Sequence, residues 1–113
     1  MKITTIGLDI AKTEFHLFAI NCMGKLIKKK QLKRKQVLSY IAQLNPCLVV
    51  MEACGGANYW AREFIALGHE VKLIAPQYVK PFVKGNKNDY NDAQAIAEAS
   101  QRPSMRFVPI KND

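Results

Sequence analysis

Four carboxylates stand at positions where they can do chemistry together. Asp9 closes the β-branched stretch "KITTIGLDI", Glu52 closes the apolar run "CLVVMEA" just before "CGG", and Asp89 and Asp92 stand three apart in "KNDYNDAQAIAEA". Residues i and i+3 share a helical face, so a helix opening at Asp89 and capped by Asn88 turns both aspartates one way. A helix start also supplies partial positive charge beside them. Carboxylates brought together repel, so either some hold protons or cations lie between them. Hard divalent cations suit oxygen ligands, and two of them roughly 4 Å apart are a recurrent arrangement for phosphodiester chemistry. Taken singly, each acid has a plainer reading, a strand-end Asp serving a turn or a D-x-x-D capping a helix. The combination is what singles them out.

The elements that must position these acids follow from the local pattern. "KITTIGLDI", "EFHLFAI" and "GKLIKKKQL", joined by short turns such as "NCMG", read as three meandering antiparallel strands. "QVLSYIAQL" sets Val37, Leu38, Ile41 and Leu44 on one helical face before Asn45-Pro46. "CLVVMEA" is a short apolar run of the kind buried on both faces of a parallel sheet. "NYWAREFIALG" is a helix with Trp60, Phe64 and Leu67 at core spacing and Gly68 as its stop; "HEVKLIA" then completes a strand, helix, strand crossover. "PQYVKPFV" is a short helix interrupted at Pro81, and "DYNDAQAIAEASQ" carries Ala93, Ile96, Ala97 and Ser100 as a small, close-packing face. The class is α/β, a mixed sheet of three meandering strands followed by alternating helices and parallel strands. In such a sheet functional groups gather at the carboxyl ends of the strands, where Asp9 and Glu52 fall.

Bulk properties bound the function. At 113 residues and 49% hydrophobic composition the chain fits one domain with one core. It lacks an apolar run of the roughly 20 residues that span a bilayer, and it lacks a signal peptide, so a cytoplasmic protein with no membrane partner is expected. Cys22, Cys47 and Cys54 show no C-x-x-C spacing and read as reduced thiols. The formal charge is +8 and its placement is uneven, with no acid from Phe15 to Met51. Lys25, Lys28, Lys29, Lys30, Lys33, Arg34 and Lys35 fall in one short segment. This is the electrostatic footprint of a polyanion partner, set against the plainer reading of a solvated strand and turn. Being lysine-rich, the ribbon is expected to contact phosphates rather than read bases. Lys12 follows Asp9 by three residues and Lys87 precedes Asp89 by two, so each is within reach of a phosphate beside the acids, the alternative being solvated surface.

"GLDIAK", "MEACGGANYWAREFIALGHEV" and "PQYVKPFVKGNKNDYNDAQAIAEA" together resemble the N-terminal catalytic domain of the DEDD-type transposases of bacterial insertion sequences, the family associated with bridge-RNA-guided recombination. The resemblance implies a ribonuclease-H-like fold of the RuvC type. It also implies a catalytic site at Asp9, Glu52, Asp89 and Asp92 that holds Mg²⁺ or Mn²⁺, with two ions expected. DNA is the implied partner; the resemblance also admits a structured guide RNA and leaves homo-oligomerisation open. Cys54 and Asn88 stand where the family commonly has Thr. The implied organisation is a catalytic domain over 1–103 and a tail or linker over 104–113, leading toward a C-terminal region that supplies a serine nucleophile. Ser39, Ser100 and Ser104 do not match that motif.

Other readings compete. A nucleic-acid-binding remnant without catalytic activity has the same charge. A sugar-kinase or actin-like phosphotransferase shares the "GLDIAK" type of first strand, but the chain shows no second lobe. Cys54 as a nucleophile lacks a placed base, since His16 falls mid-strand and His69 opens a strand at the other end. Tyr59 and Trp60 suit base stacking, although Trp60 with Phe64 reads more simply as core.

Overall fold

The computed structural model describes residues 2–11, 13–83 and 90–111. The expected meander forms as β1 (Thr5–Ile10), β2 (Glu14–Ile20) and β3 (Leu26–Lys33). A 3₁₀ turn at Arg34–Gln36 leads into α1 (Val37–Ala42), then β4 (Leu48–Glu52), α2 (Ala57–Ala66) and β5 (Glu70–Ile74). α3 (Pro76–Val79), a second 3₁₀ turn at Lys80–Phe82, α4 (Asn91–Ser100) and β6 (Phe107–Val108) follow. The strands order as β3-β2-β1-β4-β5-β6. β1, β4 and β5 run parallel, and β2, β3 and β6 pair antiparallel to their neighbours. The segment after Pro103 adds β6 to the sheet edge and packs Ile110 against the core. It is tied down by Arg62 Nη1 donating to the Lys111 carbonyl at 2.9 Å and by the Lys111 amide donating to Asn58 Oδ1 at 2.8 Å.

Strand alternation sorts the side chains onto two faces. Ile6, Leu8, Phe15, Leu17, Val49 and Met51 point to the face covered by α1 and α2, where they meet Val37, Ile41, Trp60 and Phe64. Thr5, Gly7 and Asp9 therefore point the other way, as do His16, Phe18, Ile20, Val50 and Glu52. That second face is covered by α4, whose Ala93 and Ala97 pack on Phe18 and Ile20 and whose Ile96 and Ala99 pack on Val50 and Ile74. Both faces of β1 and β4 are thus buried, which is why β4 reads as a continuous apolar run. Each fully buried Leu, Ile or Phe contributes roughly 1.5–3 kcal/mol.

The small face expected on α4 has a specific use. A Cβ at Gly7 would lie 2.2 Å from the Ala93 carbonyl and 2.7 Å from the Ala97 amide, so the α4 backbone rests directly on β1. Only glycine leaves room for this approach. At the end of α2, Gly68 takes φ +99°, its amide donating to Ile65 and that of His69 to Phe64. This is a Schellman closure, and it leaves Leu67, expected in the core, 40% exposed as the last helical residue turns outward.

Candidate functional site

β1 and β4 pair in parallel up to Leu8 and Met51, and Asp9 and Glu52 are the next residue of each strand. The two acids therefore emerge side by side, on the α4 face, at the carboxyl ends of their strands. Asp92 enters from above in the first turn of α4. Burial holds the Asp9 carboxyl above its ordinary value; the negative charge of Asp92 raises it further and His16 opposes the rise. Burial likewise lifts Glu52, Asp92 and Asp9 add to it, and Lys80 opposes. The three carboxyls thus share one local field. The helix begins at Asn91 with Tyr90 as its N-cap, two residues after the expected start at Asp89; the expectations for Asp89, Asn88, Lys12 and Lys87 themselves lie outside the described residues.

His16 is the residue that sequence reasoning set aside. It pairs with Asp9 across β1 and β2, its ring stands edge-on to Tyr90 at 5.3 Å, and both of its ring nitrogens are buried without a hydrogen-bond partner among the described residues. A buried imidazole with nothing to bond is costly, unless the carboxylate cluster or water held there engages it. The signal lay in the hairpin register, which sets His16 opposite Asp9. Lys80, the cation that acts on Glu52, stands 28 positions after it and shows no signal in spacing.

Oxygen donors and mutual repulsion fit a hard divalent cation by their chemistry. Among the described residues no group of three His, Cys, Asp or Glu side chains is closed around an ion position. The described residues thus show convergence of charge and leave the coordination open. Cys54 is exposed at the strand-to-helix turn, and His69 is fully engaged elsewhere. The Cys47 amide donates to His69 Nδ1 at 3.2 Å, which leaves Nε2 to donate to the Ile41 carbonyl at 2.9 Å. His69 is a structural clamp. Burial pushes the Cys47 thiol up to about 11, so this cysteine is not a nucleophile at neutral pH.

The basic ribbon does not form one surface. Lys29 pairs with Phe18 and its Nζ stands 5.1 Å from the Tyr90 ring, on the carboxylate face. Lys28 and Lys30 lie on the opposite face, 5.9 and 5.4 Å from the Tyr40 ring of α1. Lys33, Arg34 and Lys35 line a cleft with Thr13 and Glu14 where β3 gives way to the 3₁₀ turn. No helix among the described residues is long and apolar enough to cross a membrane.

A family model for the DEDD transposases of the IS110 type, described as a transposase, matches residues 6–113. The chain belongs to this family. It is 55% identical over 112 residues to a probable family 20 transposase of Pseudomonas aeruginosa, covering 99% of this chain and 33% of that protein. It is 57% identical over 109 residues to the transposase for insertion sequence element IS1111A of Coxiella burnetii, covering 96% of this chain and 30% of the relative. The chain thus spans about a third of the length of the curated relatives it matches. By fold it is similar to Thermus thermophilus RuvC, with a TM-score of 0.64 at 14% identity over 92% of this chain and 99% of that one. A T. thermophilus RuvC solved in complex with a Holliday junction substrate gives a TM-score of 0.63 at 14% identity, covering 94% of this chain and 99% of that one. The expected ribonuclease-H-like, RuvC-type fold is therefore the fold of this transposase segment.

Proposed function

We propose that this segment is the metal-dependent catalytic domain of an insertion-sequence transposase, acting on DNA phosphodiesters with Asp9, Glu52, Asp92 and Asp89 as its carboxylates. The observation that carries the reading is the meeting of Asp9, Glu52 and Asp92 at the carboxyl ends of β1 and β4 under the start of α4, in a RuvC-like fold. Bound Mg²⁺ or Mn²⁺, as two ions, supplies charge stabilisation for an oxygen attacking or leaving phosphorus. The chain's own residues do the rest. Asp9 and Glu52 are fixed by paired strands, Asp92 by a helix whose position Gly7 sets, and Lys29 and Lys80 offer positive charge to phosphates near that face.

Neither Ser39 nor Ser100 is placed to attack there. The Ser39 hydroxyl donates to the Gln36 carbonyl on the α1 side, and that of Ser100 to Ala97 at the far end of α4. The segment acts with a nucleophile supplied by other residues of the transposase. Branched DNA, the ligand in one RuvC relative, is the proposed substrate class, with a structured guide RNA and a second transposase copy as further partners in the cytoplasm.

Binding to a four-way DNA junction, followed by fluorescence anisotropy with and without Mg²⁺, tests this. Mg²⁺ should strengthen junction binding by the chain and leave Asp92→Asn unmoved. Equal binding with and without metal would favour a nucleic-acid-binding remnant over a catalytic domain.

A further inference from the structure

The face of the sheet opposite the carboxylates carries a second set of cations, and it is organised around aromatic rings. Two adjoining clefts share Arg34 and Lys35. The first, of about 410 Å³, adds Lys33 and Thr13, and Glu14, whose carboxylate is already engaged by the Gln31 side-chain amide. The second, of about 430 Å³, adds Leu38 from α1 and Tyr59 and Trp60 from α2. Tyr59 is 47% exposed and meets Trp60 edge-on at 5.1 Å, while the Arg34 guanidinium lies 5.3 Å from the Trp60 ring. Trp60 itself is only 4% exposed, and its indole N–H is buried with no hydrogen-bond partner among the described residues. Lys28 and Lys30, beside Tyr40, continue the same basic face.

A cleft lined by cations and opening onto an exposed aromatic ring suits a phosphate followed by a flat heteroaromatic group. A paired duplex cannot offer that group, because its bases are stacked inside. The geometry points to a second nucleic-acid surface, running from the end of β3 to the flank of α1 and α2, that takes an unpaired segment of DNA or RNA with phosphate at Arg34 and Lys35 and a base against Tyr59. It deepens the proposed function only in sharing a nucleic-acid partner. Aromatic stacking holds the base without regard to its identity, and the arginine adds a planar cation that stacks as readily as it pairs. The surface therefore distinguishes single from double strands and not one sequence from another.

The test is run in EDTA, so that its outcome is independent of the metal reading. Fluorescently labelled oligothymidylate, oligouridylate and a blunt DNA duplex of equal length are titrated with the chain, with emission from Trp60, the sole tryptophan, followed in parallel. Both single strands should bind more tightly than the duplex and perturb Trp60 emission. Tyr59→Ala should weaken single-strand binding by about ten-fold and change duplex binding little, Tyr59→Phe should retain it, and Arg34→Ala should weaken it while abolishing the preference for single strands. Preference for one of the two single strands, which differ in the sugar and in the thymine methyl, keeps the surface. Duplex binding as tight as single-strand binding, or a Tyr59→Ala chain that binds single strands unchanged, overturns the proposal.

Discussion

At the scale of single residues, Gly7 and the acids next to it set the site. Because a Cβ at Gly7 would meet the α4 backbone at 2.2 Å, Gly7→Ala must push α4 outward. A loss of about 1–3 kcal/mol, the usual penalty for overpacking, is expected in chemical denaturation, and Asp92 should move away from Asp9 with the helix. Asp9 and Glu52 make a pH-dependent prediction. Their folded carboxyls sit above the ordinary value through burial and mutual repulsion, so in that range the native state binds more protons than the unfolded chain. Stability must then fall as pH rises through the carboxylate range, the reverse of a salt-bridged acid. Metal-free melting temperatures from about pH 4 to about pH 7 should show this fall, and Asp9→Asn should flatten it. A profile rising over that range in both proteins would count against the convergence.

At the scale of elements, β3 and the start of β5 tell different stories. The alternation of β3 places Lys29 with the carboxylates and Lys28 and Lys30 with Tyr40. Lys29→Glu should therefore weaken binding of branched DNA and reduce its salt dependence, while Lys28→Glu with Lys30→Glu should act mainly on single strands. Equal effects of the two changes on both ligands would mean that the lysines act as one diffuse charge. His69 joins α1 to β4 through Ile41 and Cys47, so His69→Ala strands the buried Cys47 amide, while the Ile41 carbonyl keeps the Leu44 amide, and should cost roughly 1–3 kcal/mol in denaturant. Much of this was legible beforehand. Asp9 and Glu52 announce themselves because each ends a strand-like run, and Ala93 and Ala97 announce a close-packed helix face. The division of the lysines was not legible, since consecutive lysines hide which way a strand faces, and the β2–β3 register shifts between Ala19 and Ile20. His16 was missed for the same reason, because its place beside Asp9 depends on hairpin register. Leu67 misled by spacing, because Gly68 ends the helix there.

At the scale of the whole molecule, a net charge of +8 is spread over a sheet whose two faces face different tasks. One face gathers acids beneath α4 and the other gathers cations and aromatic rings beside α1 and α2. The transposases it matches are about three times longer, and under the proposed function this segment supplies positioning and charge to a reaction completed elsewhere in such a protein. Its central claim is that the repelling carboxyls of Asp9, Glu52 and Asp92 are a divalent cation site. The most direct measurement is thermal unfolding of the chain and of Asp9→Asn, each titrated with Mn²⁺ at neutral pH. The parent chain should gain melting temperature with Mn²⁺ in a saturable manner, while Asp9→Asn should start at least as stable without metal and gain nothing. A parent chain indifferent to Mn²⁺, or an Asp9→Asn chain stabilised to the same extent, would contradict it.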